Sequence, residues 1–341
     1  MRRNKSRSEY SDEGKGMQNT SKGLPPFYLH EDFKKKFPEL FPSELIYHYT
    51  STEVLCKLSE SSASFYATTY RALNDDSEYE KGIQYVLTEY LPKYRKAVHR
   101  LLKRKYPALY KPDSNGGEGG FLYTPWVMSF SMASDILSQW IAYTPKESGG
   151  VAIGFDYNKM EAVIGTSVRM RRDRCYVDPA AINYEVHFLP CVYLEDGSEI
   201  AKNTLDYLFS DYWPKFSAAT IDQSDDAKTR QNKQALAALL VVNLFGAMAK
   251  DASFAAEKEF RIIMIAKKSE FLKHMELIGG KPRLRVPLED ETNVKINSLI
   301  SSVMVSPHGD LRLLHSLVDF VKARCGLKFK ILDSKSPYNG R

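Results

Sequence analysis

The stretch that most constrains this chain runs from Phe254 to Ala266, Phe-Ala-Ala-Glu-Lys-Glu-Phe-Arg-Ile-Ile-Met-Ile-Ala. From Phe260 onward it is apolar and rich in β-branched residues over the length of one strand, which predicts a buried strand. Two carboxylates, Glu257 and Glu259, stand at its entrance. A strand turns residues i and i+2 to the same face, so the two acids are expected side by side at the strand mouth. There they are either solvated flanking residues or the polar half of a site.

The 341 residues can bury one large core or two ordinary ones, and 43% apolar with 26% charged residues is a soluble globular composition. The formal charge is +6, with the excess concentrated in the first 23 residues and between Lys93 and Lys111, which supports a nucleic-acid surface only weakly. Cys56, Cys175, Cys191 and Cys325 are scattered without C-x-x-C spacing. They argue against a zinc site or a disulfide framework and suit a reducing compartment. No apolar segment follows Met1-Arg2-Arg3, so no signal peptide is expected. The longest apolar window, Ala235–Ala249, is too short for a bilayer, is broken by Asn243 and Gly246, and reads as a buried helix. The chain reads as a cytoplasmic protein of bacterial type with no membrane partner.

Residues 1–24 are polar and basic and predict a disordered tail ahead of a single domain over 25–341. Strands are expected at Glu44–Thr50, Ser64–Thr68, Trp126–Met132, Val151–Phe155, Leu299–Val305 and Lys328–Leu332, with a pair near Val186–Tyr193. Helices are expected at Val54–Ser59, opened by Ser51-Thr52-Glu53 with a hydroxyl available as cap, over Glu78–Tyr106, from a Ser134-Asp135 cap to Tyr143, and at Leu311–Lys322. Asn203–Phe254 predicts a helical insertion, and the glycines of Lys111–Gly120 a flexible connector. Strands and helices intermix without strict βαβ alternation, which favours α+β with mixed, mostly antiparallel sheets and flanking helices.

Several polar and aromatic side chains stand on elements that otherwise look buried. His48 lies on the first strand, and Ser129 and Ser131 share one face of another. Trp140 and Tyr143, three apart on a helix, can form a continuous aromatic surface. Asn74-Asp75-Asp76-Ser77-Glu78 reads as a turn and helix start.

Taken in order, Tyr-His-Tyr-Thr-Ser, Asn-Asp-x-x-Glu, Ser-Phe-Ser with a following Trp-x-x-Tyr, and Glu-Lys-Glu-Phe-Arg resemble the signatures of an uncharacterised bacterial family, from about Leu45 to Tyr338. That family implies no activity. More distantly, the order of elements is similar to the ADP-ribosyltransferase fold. This resemblance implies a split sheet with NAD as substrate. In it His48 would bind a ribose hydroxyl, Thr50 or Ser51 would supply a following hydroxyl, and Ser129 and Ser131 match a Ser-x-Ser second motif. Tyr143, with Trp140, would stack on nicotinamide. Glu257 and Glu259 match a strand-borne Glu-x-Glu. Asn74, Asp75, Glu78 and Arg261 belong to the signatures of the uncharacterised family and are substrate-binding candidates, the Asn74–Glu78 cluster being a structural turn or a substrate clamp with no role in NAD chemistry assigned. A His first motif beside a Ser-x-Ser second motif departs from the usual subgroups, as does the long insertion before the acids.

Cleaving the nicotinamide–ribose bond develops positive charge on the ribose, as glycoside hydrolysis does. A fixed carboxylate, Glu259, would stabilise that charge. Glu257 would orient or deprotonate an acceptor, protein or nucleic acid. No metal is required, and a role as toxin or antiphage effector would suit such chemistry. Two alternatives stand beside it. Asp75, Asp76, Glu78, Glu257 and Glu259 could assemble a Mg²⁺ site for nucleic-acid processing. Trp140 and Tyr143 could instead serve a non-catalytic binding module.

Overall fold

The computed structural model describes residues 28–70, 77–110, 123–175, 184–195, 197–267, 275–286 and 294–337. The basic tail, the 111–120 connector, Asn74, Asp75 and Asp76 lie outside the described residues. The fold is α+β, and the sheet is built on the strand that the Phe260 run predicts. That strand, β8 (Glu259–Lys267), pairs antiparallel with β3 (Tyr123–Ser131) over its whole length and with β5 (Tyr184–Pro190) on its other edge.

At β3 the sheet forks. The edge of β3 away from β8 meets β2 (Phe65–Thr69) at Trp126 and Val127, and meets β1 (Leu45–Thr50) at Ser131. From β1 the order continues through β4 (Val151–Asp156), β11 (Ile300–Val305) and β12 (Lys330–Asp333). From β2 it continues through β10 (Lys281–Val286) and β9 (Met275–Ile278). Among the described residues, only β11 and β12 pair in parallel within this ten-stranded sheet. A separate two-stranded parallel ribbon joins β6 (Val192–Leu194) to β7 (Ala249–Asp251).

Alternation along β8 explains its composition, because both of its faces are covered. Phe260, Ile262 and Met264 pack with Met128, Phe130 and Phe155 under α7 (Tyr157–Cys175) and α11 (Leu311–Arg324). Ile263 and Ile265 face the other way, into a helical layer of α3 (Ser77–Gln84), α5 (Lys96–Lys105), α8 (Glu199–Tyr207), α9 (Trp213–Thr220) and α10 (Ala227–Met248). Burying one such side chain contributes about 1.5–3 kcal/mol, so a strand buried on both faces favours an unbroken apolar run. The window at Ala235–Ala249 forms the core of α10, as its composition predicts.

Several boundaries differ from expectation for local reasons. The long helix ahead of Tyr106 is broken: Tyr85–Tyr90 is wound as π-helix, α4 (Leu91–Tyr94) carries Pro92 in its first turn, and Arg95 leaves helical geometry. Pro92 has no N–H to donate, and the chain winds past it through the π turn; the helix breaks only at Arg95. The insertion ends earlier than Phe254, since α10 stops at Met248 and the chain pairs as β7. The strand pair near Val186–Tyr193 divides between the two sheets as β5 and β6. Asp135 caps no helix: the N-cap of α6 (Leu137–Tyr143) is Ile136, and Asp135 instead accepts from the Trp140 indole at 2.7 Å. Ser51 does cap α2 (Thr52–Leu58), accepting from the Val54 amide.

Candidate charged site at the mouth of β8

The acids at the strand entrance come together, but not by strand alternation. Strand geometry begins at Glu259. Glu257 closes a 3₁₀ turn, Ala252–Glu257, and Lys258 turns the chain with φ of 46°. What gathers the carboxylates is Lys250 of β7. Its Nζ lies 2.7 Å from Glu257 Oε2, 2.5 Å from Glu259 Oε2 and 3.5 Å from Glu78 Oε1. Arg261 completes the cluster. Its Nε donates to Glu259 Oε1 at 2.7 Å, its Nη2 to Glu78 Oε2 at 2.9 Å, and its Nη1 to the Ala247 carbonyl at 2.8 Å. Three carboxylates thus face two cations, and none of the five residues is more than 6% exposed.

Burial alone would raise the Glu259 carboxyl, but Arg261 and Lys250 overcome it and hold the group down to about 2. Burial works against the Lys250 ammonium, yet the carboxylates keep it well above its ordinary value. Backbone contacts fix the frame. The Glu259 amide donates to the Tyr193 hydroxyl at 2.7 Å and its carbonyl accepts from the Cys191 amide. Burial and the nearby carboxylate raise the Cys191 thiol strongly, so it is a neutral packing group.

The motif-bearing strands lie side by side. Tyr47 of β1 pairs with Ser131 of β3, and Ser131 pairs with Glu259 of β8, so the three form one transverse row on the helical-layer side. Residues directly opposite in antiparallel strands share a face. Ser129 stands one step along that face, opposite Arg261. The Ser131 hydroxyl donates to the Glu257 carbonyl at 2.8 Å and accepts from the Ala133 amide, which makes it a strut of the turn. Tyr143 of α6 is 37% exposed above the cluster. Burial, then the charge of Glu259, pushes its phenol up to about 12. Tyr49 steadies α6 by donating to the Ala133 carbonyl and accepting from the Ile136 amide.

Other expected site residues stand elsewhere. His48 follows Tyr47 and so points to the opposite face, against Phe130 at 5.9 Å between ring centroids, with Nδ1 3.2 Å from the Ser129 carbonyl. Burial lowers its pKa, and the Arg283 charge adds to this against the raising effect of that carbonyl. Trp140 is fully buried with Tyr49, Ala152 and Met304, so it shares no surface with Tyr143. Ser51 is committed to its helix cap, and Thr50 is buried at the end of β1. The structure therefore brings together Glu78, Ser129, Ser131, Tyr143, Glu257, Glu259 and Arg261, and leaves His48, Thr50, Ser51 and Trp140 apart. Sequence reasoning missed Lys250 and Tyr193. The available signal for Lys250 was a lone cation ending a long apolar helix.

A protein-family model matches residues 139–262; its description is "Protein of unknown function (DUF2971)". The match begins in α6 and ends in β8. It therefore contains Tyr143, Lys250, Glu257, Glu259 and Arg261, and leaves out the strands that carry His48 and Ser131. Comparison with curated proteins and with solved structures finds no match. Among the described residues, no helix is long and apolar enough to cross a membrane, and no group of three or more His, Cys, Asp or Glu is arranged to hold a metal ion.

Proposed function

We propose that the chain cleaves the nicotinamide–ribose bond of NAD, as an ADP-ribosyltransferase or NAD glycohydrolase, at the charged site under Tyr143. The observation that carries this reading is the in-register row Tyr47, Ser131, Glu259 across three adjacent strands. It sets the first-strand, Ser-x-Ser and Glu-x-Glu motifs beside one another, and the fork at β3 is compatible with a split sheet. The excess of carboxylates over cations beneath an exposed tyrosine also suits a cationic pyridinium ring. In the cleavage, nicotinamide leaves with the bonding electron pair and the ribose carbon becomes positive. Glu259, ionised throughout, stabilises that charge, and water or an acceptor adds and loses a proton. His48 has no part in this version, because it faces the other side of the sheet.

A second reading draws on the burial of Glu259, 5% exposed with both carboxylate oxygens paired. In it the cluster is a structural clasp and Tyr143 belongs to a non-catalytic binding module. A Mg²⁺-dependent nucleic-acid enzyme has less support, because the Lys250 ammonium occupies the point where the carboxylates converge.

The test incubates purified protein with NAD, with and without cell lysate, and follows nicotinamide by chromatography. Wild type is expected to release nicotinamide in EDTA, and Tyr143→Ala to lose at least tenfold in rate with an unchanged melting temperature. No release by wild type under any condition overturns the enzyme reading and leaves the binding module.

A further inference from the structure

From Lys93 to Lys105 the chain carries seven basic side chains and no acid. One of them, Arg95, turns to the protein, donating to Ser210 and the Tyr90 hydroxyl with Asp206 at 3.8 Å. Lys105 is half-buried and donates to the Asn232 amide oxygen at 2.6 Å. In α5, Val98 and Leu102 are buried, while Lys96, Arg100, Lys103 and Arg104 are exposed. At 3.6 residues per turn these four cations fall within an arc of about 100°, opposite the buried pair. None has a carboxylate partner among the described residues; Arg104 donates to the neutral Gln231 amide oxygen at 3.0 Å. A row of cations with no carboxylate partner among the described residues, on one helix, repels itself and suits a polyanion.

We propose that the outer face of α5 binds the phosphate backbone of a nucleic-acid strand. A bilayer is disfavoured because the apolar side of α5 is committed to the core, leaving no stripe to insert. A nucleic acid needs only spaced cations and an aromatic edge. Tyr94, 41% exposed at the end of α4, with Lys93 Nζ and Lys202 Nζ each 5.1 Å from its ring and the Tyr90 ring at 5.3 Å, offers the latter with a further cation beside it. The surface is also placed relative to the charged site. Arg104 and Lys105 hold Gln231 and Asn232 near one end of α10, and the cluster begins just past Met248 at the other. The 16-residue step from Asn232 to Met248 spans roughly 24 Å of helix. The inference goes beyond NAD cleavage and does not rest on it.

The test measures fluorescence anisotropy of labelled single-stranded DNA and RNA 20-mers with the full chain over a salt series, without NAD. Four phosphate contacts predict a slope of log affinity on log salt of about −3. Lys96→Gln/Arg100→Gln/Lys103→Gln/Arg104→Gln is expected to lose at least tenfold in affinity at low salt and most of that slope. The pair Lys96→Gln/Arg100→Gln, a milder change, is expected to lose about half the slope. Absence of wild-type binding, or a quadruple variant with wild-type affinity and slope, overturns the proposal. So does α5-dependent binding to phosphatidylserine vesicles without binding to either strand. Because no NAD is present, a failed NAD assay leaves these outcomes unaffected.

Discussion

Gly82 of α3 and Gly246 of α10 meet where the two helices cross. A Cβ on Gly82 would stand 2.9 Å from the Gly246 Cα and 2.5 Å from the Ala249 Cβ, and one on Gly246 would stand 2.8 Å from Ile83 Cγ1. This approach carries Glu78 to Arg261 across 183 positions of sequence. Because backbone blocks the new methyl, Gly82→Ala is expected to destabilise the fold by about 1–3 kcal/mol despite its gain in helix propensity. A lower urea midpoint in circular dichroism is the expected result, and an unchanged or higher one would show that the helices are not in contact there.

Removing Lys250 leaves three carboxylates gathered without the cation that joins them. Breaking one side of a buried ion cluster typically costs about 3–5 kcal/mol, and Lys250→Met is expected to lose that much at neutral pH. The deficit against wild type should narrow on acidification, as the stranded carboxylates take up protons. Lys250→Met/Glu257→Gln should recover part of it. Urea unfolding of the three proteins at pH 7 and pH 5 checks both statements.

Acid stability follows from two carboxylates. Glu259 and Glu161 both titrate at about 2 instead of near 4.5; for Glu161, burial is opposed by hydrogen bonds from His30 at 2.6 Å and Lys34 at 2.8 Å. A folded-state value below the unfolded one contributes stability that is fully present above about 4.5 and is lost as pH falls toward 2. Stability measured by chemical denaturation is therefore expected to fall across that window. Glu161→Gln should be less stable at pH 7 and show a shallower decline. A variant with the wild-type slope would remove Glu161 from the account.

Trp140 and Tyr143 separate a core role from a site role. Trp140→Ala empties a fully buried pocket and is expected to cost about 3–5 kcal/mol. Tyr143→Ala trims a side chain at the surface and should cost less than about 1 kcal/mol. Equal losses in thermal or urea unfolding would contradict this division.

The strand from Phe260, the buried helix around Leu239 and a hydroxyl cap ahead of Val54 were legible because each depends on neighbours a few residues away. Periodicity, capping chemistry and apolar run length act over such distances. His48 shows the limit. Alternation says that residues 47 and 48 face opposite ways, but which of them shares the face of Glu259 depends on register with β3, and the pairing of Tyr47 with Ser131 settles it. Trp140 and Tyr143 likewise share a helix, yet only the packing of Tyr49 determines which is enclosed.

The charge cluster belongs wholly to the tertiary level. Glu257 and Glu259 announce themselves as a pair, and their meeting could be guessed; the cause could not, since it is a 3₁₀ turn and a left-handed Lys258, not a strand. Lys250 shows locally only as a lone cation after an apolar helix and Glu78 only as a residue of a helix start, and neither pattern says that the two meet. A buried charge is stable only if an opposite charge arrives with it, and those partners come from a ribbon strand and from a helix allowed in by two glycines. Local chemistry selects the elements, whereas long-range registration and close approach choose which charges meet.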